Sequence, residues 1–298
     1  MPVSPEARGN GLPQALGAYG LWGLLPLYLA AMHHVPPVEF VGWRIVFTLP
    51  VCLALVVAGR QAAPLLAVLR QPRALAPLLL SALLIGANWT IYVVAIHDGH
   101  VFAASIGYYI NPLINVLLGT AVLGERLNRI QWLAVGIAAI GVGLLAVGAL
   151  GALWVSLALA LTFGFYGLVR KLAAVPAVTG LTVETLVLLP AALCLLGWFA
   201  AQPGGSALSR GPADGLLLAA SGLVTAIPLL LFAQAAQRMD YSTLGFFQFL
   251  APTLVFVEGL VVFDEPLSVV QLVCFAFIWT ACAVYCGDLL RRRGAARG

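Results

Sequence analysis

"GERLNRIQ" (residues 124–131) and "DEPLSVVQ" (residues 264–271) stand 140 positions apart and align without a gap. Glu125, Leu127 and Gln131 fall on Glu265, Leu267 and Gln271. The same shift carries Pro36, Pro50, Ser81, Ala95, Pro112 and Gly119 onto Pro176, Pro190, Ser221, Ala235, Pro252 and Gly259. Matches among Ala and Leu come cheaply in such a chain, so the prolines, glutamates and glutamines carry the weight. The chain reads as two similar halves, residues 12–148 and 151–288. A polar lead (1–11) precedes them and a basic tail (289–298) follows.

The 298 residues are 62% hydrophobic and 9% charged, with a mean hydropathy of +1.03. A soluble domain is about 45–50% apolar and about 25% charged. Ten apolar segments recur, at 12–32, 38–59, 74–96, 101–124, 129–148, 151–169, 179–201, 214–236, 241–263 and 267–288. About 20 such residues cross a hydrocarbon core about 30 Å thick. The expected fold is therefore an all-α integral membrane protein with ten transmembrane helices, five per half. Five is odd, so the second half enters the membrane from the opposite face. Such inverted-topology repeats are an architecture of secondary transporters, with the substrate site near the midplane. The longer connections, 60–73 and 202–213, carry Pro, Gly, Gln and Arg and read as exposed loops.

Charge sets the orientation. With both termini cytoplasmic, Arg8, Arg60, Arg70, Arg73, Arg126, Arg129, Arg170, Lys171, Arg238, Arg291, Arg292, Arg293 and Arg297 all lie inside, 13 of the 15 basic residues. The positive-inside bias accounts for the net charge of +4 without a nucleic-acid partner. Lys171 is the only lysine and no GxxxxGK[ST] surrounds it, so the chain carries no ATP-cradling loop of that kind. The five cysteines lie within apolar runs as packing residues, with no metal-ligand spacing. No cleavable signal peptide is evident, and no cofactor is expected.

"SIGYYINPLINVLLG" (residues 105–119) concentrates polar groups in the fourth segment. Tyr108, Asn111 and Asn115 share one helical face, and Pro112 leaves the Tyr108 carbonyl without its usual donor, inviting a kink. An amide facing lipid is costly, so this face is expected to line a wet cavity or to bridge helices. Asn88 and Tyr92 add a second polar pair in "GANWTIYVVAI". The matching helix of the second half carries Pro252, Gln248 and Glu258. An isolated intramembrane glutamate is a candidate for proton coupling; its bland alternative is a helix-end residue reaching the interface. Arg44 and Glu184 are images under the 140 shift. Inversion places them some 12 Å apart along the membrane normal, because each lies about 9 Å into its helix from opposite faces. Arg170 or Lys171 is the expected partner of Glu184, and Asp264 or Glu265 that of Arg44. These pairs would serve as gates or as static bridges. The four histidines read as solvated residues of two outer loops, and "GIAAIGVG" (residues 136–143) as a surface for close helix packing.

Together "NPLINVLLGTAVLGERLNRIQWLAV", "FYGLVRK", "TVETLVLLP", "STLGFFQF" and "FAFIW" resemble the RarD-type proteins of the EamA family, in the drug/metabolite transporter superfamily. The likeness runs from about residue 12 to residue 288. It implies ten helices in two inverted EamA repeats, cytoplasmic termini, and export of a small organic solute across a bacterial inner membrane. The family label links it to chloramphenicol, and its relatives include amino-acid exporters. In this superfamily the first helix of each half flanks the cavity, which adds Trp22 and Tyr166.

The reading is a secondary transporter working by alternating access, not an enzyme, with protons as a candidate coupling ion and a small-molecule substrate. The expected cavity lining is Trp22, Asn88, Tyr92, Tyr108, Asn111, Asn115, Tyr166, Gln234 and Gln248. Glu258, Arg44, Glu184 and Arg170 are the coupling or gating candidates, and Pro112 and Pro252 the hinges. An uncoupled facilitator or exchanger is the alternative, and a receptor or scaffold a more distant one. A membrane-embedded enzyme would want a His/Asp/Ser or metal constellation inside the helices, where this chain has no histidine.

Overall fold

The computed structural model describes residues 11–148, 150–264 and 268–295, with side chains up to 292. Backbone polar groups in lipid must be satisfied within the segment, so the apolar stretches fold as helices. The first segment gives α1 (Leu12–Gly23) and α2 (Leu25–Ala31). Then come α3 (Pro37–Ala58), α4 (Ala62–Arg70), α5 (Pro72–His97), α6 (Val101–Ala121) and α7 (Arg129–Val147). The remainder forms α8 (Leu153–Leu172), α9 (Ala177–Ala200), α10 (Pro212–Arg238), α11 (Tyr241–Gln248), α12 (Leu250–Val261) and α13 (Val269–Ala295). Among the described residues nine stretches are long and apolar enough to cross a membrane, with α11 and α12 together making one of them.

Prolines explain the departures from ten continuous rods. Pro26 denies the Trp22 carbonyl its helical donor, and the first segment breaks at Leu24, whose N–H turns back to the Gly20 and Trp22 carbonyls. Neither piece is long enough to count as a span. Pro252 does the same to Gln248, and the chain breaks at Phe249 between α11 and α12. The expected matching kink does not break α6, which runs unbroken through Pro112. Its neighbour α8 braces it on both sides of the proline. A Cβ on Gly107 would lie 3.0 Å from Leu159 Cβ, and one on Gly164 2.7 Å from Ile114 Cγ2.

Two further differences concern the connections. Residues 60–73, read as a loop, contain the amphipathic helix α4, which buries Leu65 and Val68. The basic tail, read as separate from residue 289, continues α13 to Ala295. The lead (1–10) and residues 265–267, including Glu265, lie outside the described residues.

Two apolar cores hold the bundle. One joins α6, α7, α8 and α13 through residues such as Ile106, Ala138, Leu159 and Ile278. The other joins α1, α8, α10 and α11 around Tyr19, Phe232 and Leu244. Smaller clusters close the two ends, around Val56, Leu65 and Val183 at one and around Met32, Phe40 and Leu218 at the other. Small residues let backbones approach where these helices cross, as in lipid-embedded bundles generally. Gly222 of α10 sits against the Phe47 carbonyl of α3, and Gly141 of α7 against Phe277 and the Cys274 carbonyl of α13. Gly136 and Gly143 face open space, so only one glycine of the "GIAAIGVG" stretch makes the expected close contact. Outward positions such as Leu83, Val57 and Leu216 are exposed and apolar, as a lipid-facing surface requires.

Candidate functional site

Arg170, on the last turn of α8, and Glu184, two turns into α9, are both buried and approach to 3.4 Å. Ser81 of α5 donates its hydroxyl to Glu184 Oε1 at 2.5 Å, and Tyr166 of α8 donates to Oε2 at 3.5 Å. Arg170 Nη2 donates to the Ala177 carbonyl at 3.1 Å. The guanidinium occupies the place where a Cβ of residue 180 would stand, so Gly180 is what admits it. A buried charge is tolerable only with a partner and satisfied hydrogen bonds; here α5 and α8 supply them to one carboxylate on α9, while Arg170 Nε has no hydrogen-bond partner among the described residues. Beside this group lies a cavity of about 10 Å³, room for a single water. Ile45, Thr48, Ile85 and Trp89 line it from the first half, and Tyr166, Glu184, Thr185 and Thr225 from the second.

The same end of the bundle is laced by other polar ties. Glu125 accepts from the Tyr241 and Ser242 amides at 2.6 and 2.8 Å and from the Ser242 hydroxyl at 2.7 Å. It thus satisfies the first N–H groups of α11 from a distant loop. Lys171, 4.0 Å from Glu125, donates to the Ala236 and Met239 carbonyls. Gln237 donates to the carbonyls of Arg170, Ala173 and Val175.

At the opposite end Glu39, fully buried in the first turn of α3, plays the corresponding part. Its Oε1 accepts from Ser206 Oγ and the Ala207 amide, both at 2.7 Å, and from Trp43 Nε1 at 3.1 Å. His34 lies 2.9 Å from Asp214, and Arg210 donates to the His34 carbonyl. His34, exposed as the sequence suggested, also ties its loop to the first turn of α10.

The polar face of α6 meets α11 where the backbones nearly touch. A Cβ on Gly245 would lie 2.8 Å from the Pro112 carbonyl oxygen. Asn115 Nδ2 donates to Gln248 Oε1 at 2.7 Å. Asn111 is buried beside it, and Oδ1 of both asparagines is without a partner among the described residues. Asn88 spends its amide on α8, donating to the Leu159 carbonyl and to Thr162, each at 2.9 Å. The Asn88 and Asn115 amides thus act as bridges between helices. Trp22 and Tyr166 are joined through Phe163 and Phe232 in one aromatic cluster. Tyr92 and Tyr108 meet edge to face, 6.2 Å between centroids. Gln234 is half-buried on α10. Glu258 is buried on α12, and neither carboxylate oxygen has a partner among the described residues. Of the expected lining, Tyr166 alone borders the cavity described above, joined there by Glu184. That space forms at the meeting of α3, α5, α8, α9 and α10, away from the α6–α11 crossing.

Arg44 does not pair with Asp264. Its Nε donates to Thr225 Oγ1 at 3.0 Å, and its guanidinium lies 4.8 Å from the Trp89 ring centroid and 5.7 Å from that of Phe40. The other expected partner, Glu265, is outside the described residues. Aromatic faces and a hydroxyl take the place of the carboxylate.

Sequence reasoning missed Ser81, Glu39, Thr225 and Trp89 as members of these sites. Ser81 and its image Ser221 were visible as repeat anchors, but nothing in the string says that the Ser81 hydroxyl meets Glu184. Glu39 carried a weak signal, as an acid in a helix first turn.

Comparison with known proteins accords with this architecture. The pattern of the EamA-like transporter family matches residues 10–147. An uncharacterized transporter of Vibrio cholerae is 43% identical over 99% of this chain and 98% of its own. Protein RarD of Salmonella typhimurium is 43% identical over 94% and 96%. A solved protein structure, 24% identical, superposes with a TM-score of 0.74 over 96% of this chain and 100% of that one, a likeness of fold. With apolar helices long enough to span a membrane and full-length relatives of this identity, the chain is a RarD-type member of the EamA family of membrane transporters.

Proposed function

We propose that the protein is a secondary transporter that exports a small organic solute across the bacterial inner membrane by alternating access, with both termini cytoplasmic. Its ten crossings form two inverted repeats. The broken α1–α2 segment is the tenth crossing. The observation that carries this reading is the cavity between the halves, flanked at both ends by ties that link one half to the other. Glu184–Ser81 and Glu125–Tyr241 tie the cytoplasmic end, and Glu39–Ser206 and His34–Asp214 the outer end. Releasing one set while keeping the other would open the centre to one side at a time. The pseudo-two-fold relation is supported by paired contacts: Glu184 of α9 bonds Ser81 of α5, while its image Arg44 of α3 bonds Thr225 of α10, one turn beyond the image Ser221.

Pro112 and Pro252 are the proposed hinges, and the α6–α11 crossing at Asn111, Asn115 and Gln248 the interface across which the halves slide. Trp22, Asn88, Tyr92, Tyr108 and Gln234 join the lining as the cavity widens. Glu258, buried without a partner, is the proposed proton carrier.

The test is flux of candidate drugs and metabolites in proteoliposomes with and without an imposed pH gradient. Gradient-driven flux that is lost in Glu258→Gln supports coupled export. Equal flux in both conditions replaces the exporter with a facilitator. No flux for any solute that raises the protein's Tm points to a receptor.

A further inference from the structure

Arg44 lies within the apolar stretch Pro37–Ala58, where a cation requires a reason. Among the described residues it has no acidic partner within ion-pair distance, and only Nε donates a hydrogen bond, to Thr225. Neither Nη nitrogen donates to a described protein group. The residue is partly exposed, and neither Nη is among the buried side-chain atoms left without a partner. The nearest acid on its own helix, Glu39, is already committed to Trp43, Ser206 and Ala207. Around the guanidinium stand the rings of Trp89 and Phe40; Tyr92, one turn beyond Trp89 on α5, meets Tyr108 of α6 edge to face. Trp89 and Thr225 also line the central cavity.

A guanidinium fixed at Nε presents its outer edge as a two-pronged donor that matches a carboxylate. The surrounding rings suit an aromatic body attached to that carboxylate. We propose that Arg44 is the anion-recognition residue of the transport pathway and that the solute class is small aromatic carboxylates, seated between Trp89, Tyr92 and Tyr108. Thr225 holds the guanidinium in place, acting as a positioning residue. The proposal rests on the transporter reading for its role in flux but not for the binding event itself.

The probe is 4-aminohippurate, an aromatic carboxylate that crosses lipid poorly, with its neutral primary amide as control. Phenylglyoxal labelling of the wild-type protein in phosphatidylcholine vesicles, read by mass spectrometry and normalised to exposed Arg70, reports on Arg44 directly. Labelling of Arg44 should slow several-fold with millimolar 4-aminohippurate and stay unchanged with the amide. Arg44 that resists labelling, or that labels equally with both compounds, overturns the proposal. Protection by phosphatidylglycerol in the vesicles but not by the carboxylate also overturns it, making Arg44 a lipid-headgroup anchor. In Arg44→Lys, which keeps the charge but loses the fork, the rise in Tm given by 4-aminohippurate should shrink; an undiminished rise counts against the site. Counterflow of labelled 4-aminohippurate in proteoliposomes separates the two claims. Protection without counterflow upholds the carboxylate site and sinks the transport reading.

Discussion

Arg170 and Glu184 face each other at 3.4 Å in an interior that excludes solvent from both. The short turn between α8 and α9 and the first two turns of α9 separate them along the chain, and the guanidinium fits because residue 180 has no side chain. Removing one member strands the other charge, which costs about 3–5 kcal/mol. Arg170→Ala and Glu184→Ala should each lower Tm sharply in detergent, and the swap Arg170→Glu with Glu184→Arg should recover part of the loss. Independent, additive losses would mean that the contact is not an ion pair.

Gly245 marks where α11 meets α6. A methyl group there would press on the Pro112 carbonyl and on Asn115 Cβ, so Gly245→Ala should destabilise by about 1–3 kcal/mol as overpacking does. Gly136→Ala, which has open space around it, should be neutral or stabilising by up to about 1 kcal/mol through helix propensity. Urea or thermal melts of the two variants side by side measure the contrast.

Asn115 and Gln248 form a hydrogen bond between the halves at 2.7 Å. Bonds of this kind inside membranes average about 0.6 kcal/mol. A double-mutant cycle with Asn115→Ala and Gln248→Ala should give a coupling of that order. Zero coupling would mean the two amides do not share the bond.

Glu125 caps α11 from a loop 116 residues upstream of Tyr241. Its loss should cost about 0.5–2 kcal/mol, the range for N-terminal caps. In Glu125→Ala, hydrogen exchange at the Tyr241 and Ser242 amides should accelerate while exchange in the core of α8 stays as in wild type. Unchanged exchange at α11 would remove Glu125 from the capping role.

Much of the fold was legible because lipid imposes a simple rule: long apolar stretches must become helices. Long-range polar geometry was not legible in the same way. The asparagines of α6 announced themselves by polarity, but a string gives no sign of whether an amide meets water or a glutamine from another helix. The central cavity formed around Glu184, Thr48, Thr225 and Trp89, residues of four different helices, and threonine in an apolar helix is too common to stand out.

By itself, then, the sequence determined that the chain is a helical membrane protein, that its halves resemble one another at a 140-residue spacing, and that Glu184 required a cation. The tertiary structure alone decided that, of the two expected cations, it is Arg170 and not Lys171 that meets Glu184, that Arg44 rests on Thr225 and Trp89, and that α6 stays whole while its counterpart breaks at Phe249. The physical reason is that periodicity and hydropathy act locally along the chain, whereas the cost of a buried charge or a bent helix is set by whichever neighbours packing brings within a few ångströms.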